Sequence, residues 1–309
     1  MTKVIDIRNE TFCGTYPFRP NYAIVNGLRL HYIDETPEDI PNAEPIVMLH
    51  GNPTWSYLYR NFLPPLLQAG YRCVVPDHMG YGKSEKSLDR EEYRLKRKIA
   101  YFTDLMNHLN LNKITLIMQD WGGSIGLGYA VEHPDRIKRI ILMSTWAFVF
   151  PEEIPEDTLP PLLRMCREPE IGETMLLACN VFVEGFLPLS IIRKEKITPL
   201  LMDAYRAPFP DYNSRIPTMA IQDVPLRSDH PSYPVMKSVQ EKLNALTVPT
   251  CFIWGENDHV FPPDLILPVW QEIYPHGQTH IIPRAGHFLQ EDAPEEICEI
   301  IKNFLEKPS

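Results

Sequence analysis

The chain has 309 residues, 44% hydrophobic and 23% charged, and its 30 Lys and Arg against 40 Asp and Glu leave a formal net charge of −10 at pH 7. This length can bury one large α/β core or a core with an insertion, and the acidic balance argues against nucleic acid and anionic membrane surfaces as partners. The N-terminal MTKVIDIRNE has no apolar h-region and no run of eighteen apolar residues occurs, so a cytoplasmic protein without a membrane span is expected.

Pro17 and Pro20 interrupt an unpatterned start. Residues 21–25 and 28–34 flank Asn26-Gly27, the strongest short turn pair, and predict a hairpin. A buried strand over 46–49 ends at His50-Gly51-Asn52-Pro53. Residues 58–69 read as helix in part, interrupted at Pro64-Pro65. The next strand, 73–75, runs into the loop Pro76-Asp77-His78-Met79-Gly80-Tyr81-Gly82-Lys83-Ser84. The spacing of Ile99, Phe102, Leu105, Met106 and Leu109 predicts an amphipathic helix over 91–109. Strands at 114–118 and 137–143 enclose a further helix. After Trp146 the pattern changes. Over 147–224 prolines are dense, no clean strand occurs, and short helices are expected at 160–166, 171–184 and 198–205. We read a helical cap, 147–224, inserted after the sixth strand of a main domain formed by 1–146 and 225–309. The main domain resumes with a strand at 250–254, a helix at 265–274, a last strand at 279–282 and a closing helix at 293–306. Such alternation predicts a mostly parallel central sheet flanked by helices, with the ligand site beyond the C-terminal ends of its strands.

The six cysteines (Cys13, Cys73, Cys166, Cys179, Cys251, Cys298) contain no C-x-x-C pair, and Cys73 and Cys251 lie in strand-like runs. Reduced, buried thiols are expected, with no disulfide and no metal site.

Everything else is organised around ITLIMQDWGGSIGLG, residues 114–128. An apolar strand stops at Gln119-Asp120-Trp121, and Gly122-Gly123 opens a small-residue helix. Strand, one-residue corner and glycine-started helix make a nucleophile elbow, with Asp120 where a serine often stands. Aspartate is also a favoured helix N-cap, which is the plain alternative. A carboxylate at an elbow is already ionised at neutral pH. It can displace a leaving group from a saturated carbon, forming an alkyl ester that water must then break with the help of a base. Asp258 follows the next-to-last strand and His287 the last. Singly, Asp258 could be a turn residue and His287 a core or surface histidine. Together, in the order nucleophile, acid, histidine and on one sheet edge, they read as a catalytic triad that needs no cofactor or metal.

On these residues the chain resembles the haloalkane dehalogenase family, in the aspartate-nucleophile branch of the α/β-hydrolase fold. The resemblance runs from Tyr16-Pro17-Phe18 to the last helix. Its carriers are the stretch from His50-Gly51-Asn52-Pro53 to Arg60, Gln119-Asp120-Trp121-Gly122-Gly123, Ala207-Pro208-Phe209-Pro210-Asp211, and Gly286-His287-Phe288-Leu289-Gln290-Glu291. It implies Asp120 as nucleophile, His287 as general base and Asp258 as the acid orienting the histidine. It also implies Asn52 and Trp121 as halide-binding donors, their backbone N–H groups as oxyanion donors, and a small apolar haloalkane as substrate, cleaved to an alcohol and halide. Three features depart from the family pattern: residues 147–224 contain no tryptophan, Met143-Ser144-Thr145 stand where some members carry a glutamate, and Met118 occupies a position where elbows often have a small residue. Olefin-forming β-lactone decarboxylases share the aspartate, histidine and aspartate. Epoxide hydrolases share the elbow but use cap tyrosines, for which Tyr205 and Tyr212 are candidates here. A non-catalytic binding protein of the same fold is a further alternative. Cap side chains such as Phe148, Phe150, Phe182 and Phe186 suggest an apolar pocket, or equally the cap's own packing.

Overall fold

The computed structural model describes residues 7–149 and 159–307. Asn26 and Gly27 both take positive φ (48° and 81°), the backbone an Asn-Gly turn allows, and fold β1 (Asn21–Val25) antiparallel onto β2 (Leu28–Glu35). There follow β3 (Pro45–Leu49), α1 (Leu63–Gln68), β4 (Arg72–Pro76), α2 (Leu95–Leu109), β5 (Ile114–Asp120), α3 (Trp121–Ala130) and β6 (Ile137–Thr145). The segment after β6 carries α4 (Pro161–Arg167), α5 (Pro169–Glu173), α6 (Leu187–Ser190) and α7 (Pro199–Arg206), and no strand among its described residues. The chain then forms α8 (Tyr233–Lys242), β7 (Thr250–Gly255), α9 (Pro263–Ile273), β8 (Gln278–Ile282), α10 (Leu289–Asp292) and α11 (Pro294–Leu305).

The eight strands form one sheet in the order β1-β2-β4-β3-β5-β6-β7-β8, with β2 antiparallel to both neighbours and every pairing from β4 to β8 parallel. β5 is buried along its whole length, as a strand covered on both faces must be. Alternate residues serve opposite layers. Ile46, Met48, Ile117, Ile141 and Met143 face α1, α11 and the helical segment, whereas Val47, Leu49, Leu116, Met118, Ile140 and Leu142 face α2, α3, α8 and α9. Each such side chain contributes roughly 1.5–3 kcal/mol on burial. Between β3 and β5 the winding reverses, which opens a crevice at the C-terminal ends of those strands.

Local departures from the sequence reading have identifiable causes. Pro64 and Pro65 sit in the first turn of α1, where a missing N–H breaks no helical bond, so they start that helix and do not interrupt it. The helix expected over 91–109 begins at Leu95, because Arg94 is extended (ψ 148°) after a short 3-10 turn capped by Asp89. The helix expected over 171–184 is broken. Two wide π-helical turns, Thr174–Ala178 and Phe182–Phe186, flank Asn180 at φ 52°, and the two arms are bent by 72°. Asparagine tolerates that left-handed backbone better than most residues. All six cysteines are free, but only four are buried. Cys13 and Cys179 are exposed. No single helix among the described residues is long and apolar enough to cross a membrane.

The helical segment is tied to the loops and helices around the sheet by polar contacts. Trp55 Nε1 donates to the Ala204 carbonyl (3.1 Å), and Tyr205 donates to Glu291 Oε1 (2.6 Å), whose carboxylate also takes both Nη groups of Arg60 at 2.5 and 2.7 Å. Asp223 accepts from Leu95 N–H (2.7 Å), Arg94 Nη1 (3.1 Å) and Ser232 Oγ (2.7 Å).

Candidate active site

Asp120 stands at the corner between β5 and α3 with φ 50° and ψ −125°, a conformation that costs a non-glycine residue about 1–3 kcal/mol. Neighbouring glycines let the helix close against the sheet and hold that corner. A Cβ on Gly122 would lie 2.3 Å from the Leu49 carbonyl oxygen, and one on Gly123 2.0 Å from Thr145 Oγ1. The unusual Met118 is accommodated one turn on, because Gly126 leaves the space its Sδ occupies. Asp120 occupies the N-cap position of α3, but its carboxylate makes no capping bond to that helix. Oδ1 instead accepts the Asn52 backbone N–H at 2.8 Å, an approach that needs Gly51, whose Cβ would stand 2.2 Å from Oδ1.

His287 Nε2 lies 3.5 Å from Asp120 Oδ2, and Nδ1 lies 3.1 Å from Asp258 Oδ2. All three residues are buried. Asp258 is also a turn residue, since Oδ1 accepts the N–H groups of Val260 (2.8 Å) and Phe261 (3.0 Å), which fix its other oxygen toward the imidazole. Asp292 holds the histidine loop by accepting Gly286 N–H at 2.8 Å. Burial works against a charge on His287, but the charges of Asp258 and Asp120 and their hydrogen bonds outweigh it and raise the imidazole from 6.5 to about 9. Gln119 acts in the opposite sense. Its amide nitrogen donates to the His287 carbonyl (3.2 Å), which identifies that end as the NH2, and the same NH2 lies 3.1 Å from Nε2. A donor there is compatible with a neutral ring whose Nε2 carries a lone pair.

Asn52 and Trp121 flank the same carboxylate. Asn52 Nδ2 donates one hydrogen to the Thr218 carbonyl (3.1 Å), which leaves the second for a ligand. The Tyr81 hydroxyl donates to the Pro217 carbonyl (2.6 Å) and lies 3.3 Å from Asn52 Oδ1. The Trp121 indole packs edge-on against Trp146 at 4.9 Å, and its N–H has no hydrogen-bond partner among the described residues. Rings of Phe186, Phe261 and Phe288 surround His287 at 6.2, 5.6 and 5.0 Å. Of the apolar residues after β6 singled out above, Phe186 thus reaches the site and Phe182 backs it (5.1 Å), whereas Phe148 packs on Trp270 at 5.2 Å. Phe150 lies outside the described residues. Neither candidate tyrosine serves Asp120: Tyr205 donates to Glu291, and Tyr212 donates to Glu173 on the surface. A separate cleft of about 470 Å³, lined by Tyr57, Arg60, Lys196 and Leu200 among others, contains none of Asp120, Asp258 and His287.

Tyr81, Phe261 and Lys98 come to the site without having been singled out from the sequence, and Gln119, quoted there only as part of the elbow stretch, had been given no role. For Lys98 a signal existed, because it lies on the apolar stripe that continues through Phe102 and Leu105.

A family model for the alpha/beta hydrolase fold matches residues 44–294, and the chain belongs to that family. It is 36% identical to the cis-3-alkyl-4-alkyloxetan-2-one decarboxylase of Shewanella oneidensis over 94% of this chain and 89% of that protein. It is 33% identical to the haloalkane dehalogenase of Psychrobacter cryohalolentis over 94% and 93%. Among solved structures, the haloalkane dehalogenase DatA from Agrobacterium tumefaciens C58 matches at a TM-score of 0.82 and 27% identity, over 93% of this chain and 96% of that one. The haloalkane dehalogenase DbeA from Bradyrhizobium elkani USDA94 matches at 0.82 and 28%, over 93% and 97%. Within its fold family the chain is thus an enzyme homologous to the haloalkane dehalogenases.

Proposed function

We propose that the chain is a hydrolytic dehalogenase that cleaves the carbon–halogen bond of small apolar haloalkanes through a covalent alkyl ester on Asp120, beneath a helical cap spanning 147–224. The observation that carries this reading is the asymmetric environment of the Asp120 carboxylate. Oδ1 is pinned by Asn52 N–H and Oδ2 is left on the His287 side, while Trp121, the next residue in the chain, has an indole N–H with no hydrogen-bond partner among the described residues. Oδ2 attacks the substrate carbon in line. The C–O bond forms as the carbon–halogen bond breaks, and the halide departs with the bonding pair toward Trp121 Nε1–H and the second hydrogen of Asn52 Nδ2. Alkylation removes the Asp120 charge from beside His287, so the imidazole holds a proton less strongly and can take one from water. The water oxygen adds to Cγ of Asp120, and the oxyanion formed at Oδ1 receives the N–H groups of Asn52 and Trp121. Collapse expels the alcohol, with its proton returned from the imidazolium; the second proton of the water, left on Asp120, is released to restore the carboxylate, and Asp258 steadies the imidazolium while it exists.

A second reading is favoured by the 36% identity to a decarboxylase acting on an oxetan-2-one. Asp120 would open the lactone ring at its saturated C–O carbon and free a carboxylate. Departure of CO2 would then supply the electron pair of the alkene as the Asp120 oxygen leaves. That route consumes no water and gives His287 no proton to move. Halide release from a panel of short bromo- and chloroalkanes, beside an Asp120→Asn control, tests the first reading. Bromide release lost in the variant supports it. No release above the control, with CO2 and alkene formed from a cis-β-lactone, transfers the site to the second.

A further inference from the structure

Lys98 lies on α2 at 4% exposure, with its ammonium 3.9 Å from the centre of the Trp121 ring. Its Nζ is buried and has no hydrogen-bond partner among the described residues. A buried ammonium without an acceptor is costly, and a lysine on a surface helix ordinarily extends to water. The charged and titratable groups facing it are few. Asp223 faces it from the 213–223 segment, Asp120 from the end of β5, Arg94 from the start of its own helix, and His78 from the loop after β4. Asp223 is already occupied by Arg94, the Leu95 N–H and Ser232. What remains for the ammonium is the indole face, whose electron-rich π surface attracts a cation. Burial lowers Lys98 to about 8 while Asp223 and Asp120 oppose that shift, so the group is charged at neutral pH and discharges on mild alkalinisation.

We propose that Lys98, seated on the Trp121 indole, is a positioning residue that supplies the positive potential for the leaving-group site. The inference rests on the halide-leaving reading above. Two carboxylates, Asp120 and Asp258, make this crevice hostile to an anion. A cation on the indole face draws π density from the ring, makes the N–H a stronger donor, and attracts the departing halide through a water-poor interior. The same attraction holds the halide after chemistry, so Lys98 links fast carbon–halogen cleavage to slow anion release. Chloride, the poorer leaving group, depends on it more than bromide does.

The test requires no turnover. Sodium bromide is titrated into wild type, Lys98→Met and Lys98→Arg at constant ionic strength, at about pH 7 and about pH 9.5, with binding read by quenching of tryptophan fluorescence and folding by circular dichroism. The expected result is a loss of bromide affinity of roughly tenfold in Lys98→Met at the lower pH, the scale of a desolvated cation–π contact. Lys98→Arg keeps the wild-type affinity there within about threefold and, carrying a permanent charge, weakens less than wild type at the higher pH. The His287 proton, lost near the same pH, is common to all three proteins and cancels in the comparison. Wild-type affinity in a folded Lys98→Met, or no saturable quenching in wild type, overturns the proposal. Should Lys98→Met not fold, an alkaline loss in Lys98→Arg as steep as that of wild type overturns it. Bromide binding by a protein that releases no halide from bromoalkanes retires the dehalogenase reading alone. Dehalogenation with a bromide affinity indifferent to Lys98 retires this proposal alone.

Discussion

Under the proposed dehalogenase mechanism, Asp258→Asn should separate the two chemical steps, and the geometry dictates how. Asp258 Oδ1 accepts two backbone N–H groups, from Val260 at 2.8 Å and Phe261 at 3.0 Å, so in the variant that position must be held by the amide oxygen. The amide NH2 then occupies the site of Oδ2, 3.1 Å from His287 Nδ1. A donor there forces the lone pair onto Nδ1 and the proton onto Nε2, the nitrogen that has to accept a proton from water. The Gln119 NH2, 3.1 Å from Nε2, is then also misdirected. Loss of the correct tautomer in the Ser-His-Asp template lowers kcat by about 10⁴, so ester hydrolysis should slow on the order of 10³- to 10⁴-fold, about 4–5.5 kcal/mol of barrier. Alkylation uses only the Asp120 carboxylate and the halide donors and should persist within a few-fold. Rapid-quench measurement with a bromoalkane should therefore show about one bromide per protein and then a stall, with intact mass spectrometry finding the alkyl group on the protein. Steady turnover within tenfold of wild type, or absence of the burst, would refute the division of roles.

Three further outcomes follow from named contacts. Asp120→Asn removes one of the two carboxylates that raise His287, so its imidazole should titrate below wild type by NMR. Because the folded value of about 9 lies above the free value of 6.5, the protonated ring contributes stability that is complete below about pH 6.5 and is lost as pH rises through about 9. The fall in urea midpoint over that interval should be smaller in the variant, and equal falls would contradict the assignment. Gly122→Ala drives a Cβ to 2.3 Å from a backbone oxygen and should cost about 3 kcal/mol or prevent folding, whereas Gly126→Ala meets the flexible Met118 thioether and should cost about 1 kcal/mol. The reverse order in urea denaturation would sink the packing account of the elbow. Glu291→Leu leaves Arg60 inside without its partner and should destabilise by about 3–5 kcal/mol, with most of that recovered in Arg60→Met/Glu291→Leu. A double variant no better than the single one would show that the ion pair is not the source of the loss.

What the sequence by itself determined was the order of strands and helices, the elbow at Asp120, and three titratable side chains each standing at or just past the end of a strand. These signals are local: a turn pair, an apolar run, a glycine doublet. Once the strands are parallel, such ends must fall on one edge of the sheet, which is why Asp120, Asp258 and His287 could be grouped before any distance was known. Where the helices break, and what surrounds Asp120, Asp258 and His287, were decided by contacts far apart in the chain. The start of α2 depends on the extended backbone of Arg94, and the broken helix after α5 on Asn180. Gln119 and Tyr81 gained their contacts only when the fold brought His287, 168 positions further along the chain, to Gln119, and when the 213–223 segment met Tyr81. Lys98 lay in plain view on an apolar stripe, yet its burial had meaning only with the Trp121 ring beneath it. Periodicity encodes which face of an element turns inward. The identity of the group waiting there is encoded nowhere near it, and that is the part folding supplies.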